Sequence, residues 1–481
     1  MLARLRSLRT SLVVTTLVAV AACSNTRTSG PTPPDGENFP PLTEADRAFA
    51  ADLEERTFRW FWDTANPENG LVPDRWPTPS FSSIAAVGFG LTAYPIGAEN
   101  GWITRQQAAE RTLVTLRFFW QAPQTADSAG STGHRGFFYH FLDMQTGRRF
   151  GNVELSTIDT ALLLAGVLFG QQYFDQPDTT EAAIRAYADS LYERVDWTWI
   201  QPRAPYVSMG WHPESGFIQA DLQGYNEAML LYILAFASPT HAIDPGAWDA
   251  WTSTYRWAAW YGYDHVNFAP LFGHQYSHVW IDFRGIQDDY MRARGIDYFE
   301  NSRRATLAQR GYAIVNPNDW NGYGADFWGL TASDGPLDTT IVVEGRERRF
   351  FTYRARGTAF GEVVDDGTIV PTAAGGSIPF APEATIPMLR GMRERFGSHL
   401  YGQYGFLDAV NLTYPAGARV AQGSHTPVGW VDGDYLGIDQ GPIVAMIENW
   451  RTGLVWDRMR RSPYIRLGLE RAGFTGGWLG Q

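Results

Sequence analysis

From Leu42 onward, apolar side chains return every three to five residues. In EADRAFAADLEERTFRWFWD the residues Phe49, Leu53, Phe58, Trp60 and Phe61 fall on one side, and Thr43 stands where an N-cap is needed. The same periodicity predicts helices over 82–96, 104–120, 155–174, 180–197, 222–237, 246–260, 284–292, 297–314, 383–396, 438–455 and 461–472. Long connections rich in glycine and aromatics separate them, at 62–81, 121–153, 198–221 and 315–380. The regular strand–helix alternation of a doubly wound sheet is missing, and a few short β-ribbons are expected at the cleft end, for example around Thr340 to Tyr353 and Gly367 to Pro371. Eleven or twelve helices with no internal repeat fit an all-α (α/α)6 toroid, two concentric rings of helices whose loops build a cleft at one end. On pattern alone they fit another all-α bundle as well.

The first 41 residues read differently. Arg4, Arg6 and Arg9 precede a short apolar run from Leu12 to Ala19, and Val20-Ala21-Ala22-Cys23 resembles the lipobox of a bacterial lipoprotein signal. Cys23 is the only cysteine, so it is the expected lipidation site and no disulfide can form. Ser24 follows it, and the resemblance implies outer-membrane anchoring by the lipid, facing the periplasm or the cell surface. This gives a signal peptide over 1–22, a lipidated Cys with a Ser/Thr/Pro/Gly-rich tether over 23–41, and one large domain over 42–481. No other run approaches the length of a membrane span.

Composition narrows the function. A net charge of −12, with no basic stripe outside the first ten residues, excludes nucleic acid as a partner. The charged fraction is 19% against about a quarter in ordinary domains, and aromatics reach 14%, as a large core with an aromatic-lined cleft requires. A P-loop and a dinucleotide fingerprint are missing, and Ser377 in GGSIPF does not meet the nucleophile-elbow pattern, which disfavours phosphoryl, hydride and serine acyl-transfer chemistry.

Carboxylates recur instead among aromatics and glycines, in GFFYHFLDM, VELSTIDTALLLAGVLF, GYNEAML, GLTASDGP, GFLDAVN and YLGIDQGPIVAMIENWRTGLVW. A sugar ring presents hydroxyls that seek polar acceptors and C–H faces that seek aromatic surface. Glycosidic cleavage needs one carboxylic acid and one carboxylate. Several of these acids lie on apolar helices, where an ionised group is costly to bury without a task or a partner.

Ten segments in order, among them SSIAAVGFGLTAYPIGAENGWITR, GWHPESGF, GYNEAMLLYILA, HQYSHVWIDFRG, DGTIVPTAAGGSIPFAP and GIDQGPIVAMIENWRTGLVW, resemble the bacterial glycoamylase-like domain family, and within it glycoside hydrolase family 144, the endo-β-1,2-glucanases. The resemblance runs from about Phe58 to Phe474. It implies the (α/α)6 toroid, no metal or organic cofactor, and hydrolysis of β-1,2-glucan with anomeric inversion. The family also holds exo-acting, sophorose-releasing members and transglycosylating relatives. Thr339 to Tyr353 and Pro415 to Asp434 look longer than the family's usual connections, beside motif segments that shape the subsites.

The resemblance places the general acid at Glu227. Asp439, before an apolar helix and flanked by Gly437 and Gly441, is the leading base candidate, with an N-cap as the structural alternative and Asp408 as the reserve base. Asp143, Glu154 and Asp159 are read as sugar-hydroxyl acceptors or supports; Glu154 and Asp159, five residues apart, do not share a helix face, so one is expected to brace while the other reaches the cleft. Trp211, Tyr225 and Trp328 are candidate stacking platforms, each as suited to packing as to binding. Glu448 is read as part of a structural ion pair, and His274 with His278 as a hydrogen-bonded pair rather than a metal site. The expected protein is a monomer whose partner is an oligo- or polysaccharide. A non-catalytic glycan binder would lack carboxyls at 227 and 439, and a uronate lyase would pair poorly with so acidic a chain.

Overall fold

The computed structural model describes residues 39–480, and the proposed lipidation site Cys23, with the signal sequence and most of the tether, lies outside them. Fifteen α-helices occur among the described residues: α1 (Glu44–Thr64), α2 (Ile84–Glu99), α3 (Arg105–Gln121), α4 (Thr157–Tyr173), α5 (Thr179–Glu193), α6 (Met229–Ala237), α7 (Gly246–Thr252), α8 (Tyr276–Trp280), α9 (Asp289–Arg292), α10 (Tyr298–Val315), α11 (Pro371–Gly375), α12 (Pro382–Phe396), α13 (Gly437–Arg451), α14 (Leu454–Met459) and α15 (Pro463–Arg471). The fold is mostly helical. None of these helices is long and apolar enough to cross a membrane.

Local chemistry sets the helix starts. Thr43 and Asp46 form a reciprocal capping box at α1, as Thr104 and Gln107 do at α3, while Ser83, Ser156, Asp178 and Asp297 cap α2, α4, α5 and α10. Two kinds of helix alternate along the chain. The helices α1, α3, α5 and α12 keep an exposed polar face, whereas α6, α8 and α11 are buried at every position and α2, α4 and α13 almost so. The buried set packs on itself: α2 lies against α4 and α13. At the α2–α4 crossing a Cβ on Gly166 would stand 2.1 Å from the Gly88 carbonyl oxygen, so only glycine permits the approach.

The few short β-ribbons expected are present, and short strands are more numerous than that expectation, which qualifies the all-α reading. They run from two to five residues and pair mostly as two-stranded ribbons, with one five-stranded sheet through Gly133–His134, Phe137–Tyr139, Leu155–Ser156, Gly210–His212 and Gly216–Phe217. Three two-residue strands run directly into buried helices: Ser82–Ser83 into α2, Leu155–Ser156 into α4 and Tyr435–Leu436 into α13. Each is held by antiparallel pairing to a distant segment, for example Arg75 to Leu436 and Ser83 to Phe141.

The remaining differences from the sequence reading are local. The helix expected over 222–237 begins only at Met229, because 222–228 forms an irregular turn. The expected 246–260 helix stops at Thr252, and its last four residues, Trp257–Trp260, form a hairpin with Tyr263–Val266. Folded contacts begin inside the stretch read as tether, where Phe39 packs against the small cluster of Leu307, Ala381 and Ala384.

Candidate active site

The carboxyl groups of Glu227 and Asp439 line one cavity of about 370 Å³, together with Glu154, Asp159, His140 and Tyr276. Leu436 and Ile438 close one side, and Met209, Ile218, Phe272 and Tyr353 supply apolar wall. Such a volume, mostly apolar with a few convergent acids, is ordinary for a small-ligand site.

Glu227 is presented by the turn before α6, not by the helix itself. Ser277 at α8 fixes that turn: its hydroxyl donates to the Glu227 carbonyl at 2.9 Å and accepts the Leu230 N–H at 3.1 Å. Asn226 and Thr254 fasten the turn further through the Ala228 and Gly224 amides. Burial raises the Glu227 carboxyl to about 7; its own backbone N–H opposes this and the charge of Asp159 adds to it.

Asp439 is the third residue of α13, and the N-cap position is Leu436, which makes no side-chain cap, so the N-cap alternative falls. Thr372 holds its backbone by donating to the Asp439 carbonyl at 2.8 Å. Burial raises Asp439 to about 7 against a hydrogen bond from Asp408, with Asp334, Asp74 and Asp432 adding to the rise. Asp439 Oδ2 is itself fully buried and accepts no hydrogen bond from a backbone, amide, hydroxyl or cationic donor.

Asp408 does not line the cavity. It lies buried behind Asp439, where Oδ2 accepts the Asp334 amide at 2.9 Å. Burial, with the charge of Asp439 beside it, pushes Asp408 well above the usual carboxylate range, so Asp408 is the protonated member and Asp439 the ionised one. Asp334, Asp408 and Asp432 bring one oxygen each within 4.8 Å of one another, the arrangement among the described residues that could hold a cation. Arg75 already serves it, with Nη1 2.5 Å from Asp334 Oδ2, and burial raises Asp432 to about 9, so a guanidinium and carboxyl protons neutralise the group.

The opposite wall is a charged bridge. His140 sits between Glu154, at 2.8 Å from Nδ1, and Asp159, at 3.5 Å from Nε2. Burial disfavours its charge, yet Asp159 and Glu154 outweigh burial and raise the imidazole to about 9, so it is cationic at neutral pH. Both acids therefore reach the cavity, unlike the expected division into brace and reacher, and the actual cap of α4 is Ser156.

Four sequence candidates are elsewhere. Asp143 sits in an exposed turn where its carboxylate accepts from the Thr146 amide at 2.7 Å and hydroxyl at 2.8 Å. Trp328 is fully buried in a second core cluster with Phe327 and Leu330, so its faces are taken. Tyr225 is buried among Tyr255, His274 and Tyr298. Trp211 is half-buried against His134 and Trp199 and does not line the cavity. Glu448 is structural: Arg451, Asn100 and Thr452 surround it. His274 and His278 are buried and held neutral, bonded to Phe268 and Ser302.

Sequence reasoning passed over His140, Tyr276, Tyr353, Arg75, Asp334 and Asp432 as site residues. Two signals were present: His140 and Asp334 stand inside quoted carboxylate segments, and Tyr353 ends the long connection from Thr339. That connection folds as a hairpin, Thr339–Val343 with Arg346–Phe350, and delivers Tyr353 to the cavity with 60% of its surface exposed.

Residues 219–463 match the family model Glycoamylase, described as "Putative glucoamylase". A curated relative from Parabacteroides distasonis, named exo beta-1,2-glucooligosaccharide sophorohydrolase (non-reducing end), is 30% identical over 453 residues, 87% of this chain; the chain spans 57% of that protein's length. Among solved structures, a Bacteroides uniformis protein described by the same words as the family model is 32% identical, with a TM-score of 0.77, over 91% of this chain and all of that one. An endo-beta-1,2-glucanase from Chitinophaga pinensis, crystallised with sophorotriose and glucose, is 30% identical with a TM-score of 0.76, over 91% of this chain and all of that one. With the family model spanning half of its residues, and with these relatives agreeing on the fold, the chain belongs to the glycoamylase-like family.

Proposed function

We propose that this protein is a glycoside hydrolase that cleaves β-1,2-linked glucan. The observation that carries the reading is the convergence of Glu227 and Asp439, from segments far apart in sequence, in a single cavity with carboxyl groups each raised to about 7. A protonated Glu227 donates to the departing glycosidic oxygen, and an ionised Asp439 takes a proton from the water that attacks the anomeric carbon. Asp408 keeps Asp439 in the ionised form by hydrogen-bonding to it. The His140 bridge holds Glu154 and Asp159 as acceptors for sugar hydroxyls, and Tyr353 offers a ring face to the sugar.

In this reading the reaction proceeds with inversion and in endo mode, and the alternating helices form six pairs of an (α/α)6 toroid. The Chitinophaga protein is named for endo action and the Parabacteroides protein for exo action on the same linkage. Two carboxyl groups suffice for the chemistry, with no metal or organic cofactor, and dialysis against EDTA should leave turnover unchanged. The test is incubation with linear β-1,2-, β-1,3- and β-1,4-glucans, following product length by chromatography and the first-formed anomer by NMR. Mixed-length products of α-configuration from β-1,2-glucan are expected; cleavage confined to the other linkages would overturn the assignment. We further propose a monomeric lipoprotein held at the outer membrane through Cys23. A Cys23→Ser variant that still fractionates with membranes would refute the anchor.

A further inference from the structure

A file of aromatic rings leads out of the cavity. It starts at His140 in the cavity wall, continues to Phe141 at 3.9 Å between ring centroids, to Phe81 at 4.2 Å and to Phe150 at 4.7 Å, with each ring turned between 26° and 39° from the one before. Phe81 and Phe141 are partly exposed and Phe150 is 43% exposed. None of the three phenylalanines belongs to, or packs against, a core cluster among the described residues, so core packing does not account for them.

The backbone holds this file in place. Phe141 pairs with Ser83 in a ribbon, the Phe150 amide donates to the Phe141 carbonyl at 3.0 Å, and the Asp74 amide donates to the Phe81 carbonyl at 2.8 Å. Beneath Phe150, the buried Arg149 guanidinium donates to the Val153 carbonyl at 2.7 Å and to Glu214 at 2.6 Å. Exposed phenylalanines on a fixed loop cost solvation and gain it back only when something apolar covers them. A cavity of about 370 Å³ holds only a short stretch of glycan, so the rest of a polymer must run over the rim.

We propose that Phe150, at the outer end of the file, extends the sugar site by stacking its free face on the C–H face of a glucosyl unit of a β-1,2-glucan chain that lies outside the cavity, while Phe81 and Phe141, covered on both faces by their neighbours, brace it from the cavity wall. The proposal rests on reading the cavity as a β-1,2-glucan hydrolase. It assigns the protein a preference for long chains, set by a ring that takes no part in the chemistry.

The experiment compares wild type, Phe150→Ala and Phe150→Trp on two substrates: linear β-1,2-glucan polymer and the shortest β-1,2-linked oligosaccharide that the wild type cleaves. Phe150→Ala should raise KM for the polymer about three- to tenfold, the worth of one ring contact, with kcat, short-substrate kinetics and Tm as in the wild type. Phe150→Trp should keep the polymer KM. An unchanged polymer KM in Phe150→Ala, or an equal rise on both substrates, overturns the extension while leaving the cavity reading intact. A wild type that cleaves neither substrate overturns both.

Discussion

In the proposed mechanism the same force, burial, has to serve two opposite duties at Glu227 and Asp439. Each carboxyl is raised to about 7, yet one must act protonated and the other ionised, and the neighbours decide which: Asp159 adds negative charge near Glu227, while Asp408 donates a hydrogen bond to Asp439. The active form is thus populated around neutrality. The profile of kcat/KM should be bell-shaped about pH 7, its acid limb falling as Asp439 gains a proton and its alkaline limb as Glu227 loses one. Glu227→Gln and Asp439→Asn should each lower kcat by roughly two to four orders of magnitude with little change in Tm. A substrate whose leaving group needs no protonation should partly restore the Glu227 variant and not the Asp439 variant. Near-normal turnover in Asp439→Asn would remove it from the role of base. The sequence pointed to these two acids through motif resemblance and through the cost of placing charge beside apolar helices. It could not separate Asp143 from His140, three residues apart in one aromatic segment, because which of them faces the cavity depends on a strand pairing between Ser83 and Phe141.

Helices were readable because a 3.6-residue period survives in any partly exposed helix; α1, α3, α5 and α12 were placed to within a few residues. The short helices α8 and α11 were not, since segments of five wholly buried residues carry no period. The two-residue strands were equally silent, as their partners lie far away in sequence. Packing between the buried helices leaves a testable mark at the Gly88–Gly166 crossing. Gly166→Ala would put a methyl group 2.1 Å from a backbone oxygen, closer than any contact can be, so α2 and α4 must separate. We expect a loss of about 1–3 kcal/mol or more, read as a lower denaturant midpoint at unchanged m. An unchanged midpoint would mean that the helices do not meet there.

The protein as a unit carries an unusual load of buried acid around Arg75, and its stability should record it. Burial raises Asp432 from an ordinary 3.8 to about 9, helped by Asp408, Asp334 and Asp434 and opposed by Arg75. Between those two values the unfolded chain has released this proton and the folded one keeps it, so folding takes up a proton and this group's share of stability falls as pH rises, at up to about 1.4 kcal/mol per pH unit. Above about 9 both states are ionised and the fall stops. Asp432→Asn removes the titration, so its Tm advantage over the wild type should be small at pH 5 and grow toward pH 9; a constant difference would mean that Asp432 does not titrate in this way. The strand pairing of Arg75 with Leu436 has a last consequence, for the order of events on the ribosome. The rim is sewn from both ends of the described chain, and the two carboxyls sit at 227 and 439, so no growing chain that lacks α13 can hold a finished site. In the proposed mechanism the growing chain stays inert until α13 has been made, and the reactive centre is assembled only when that segment joins the earlier ones.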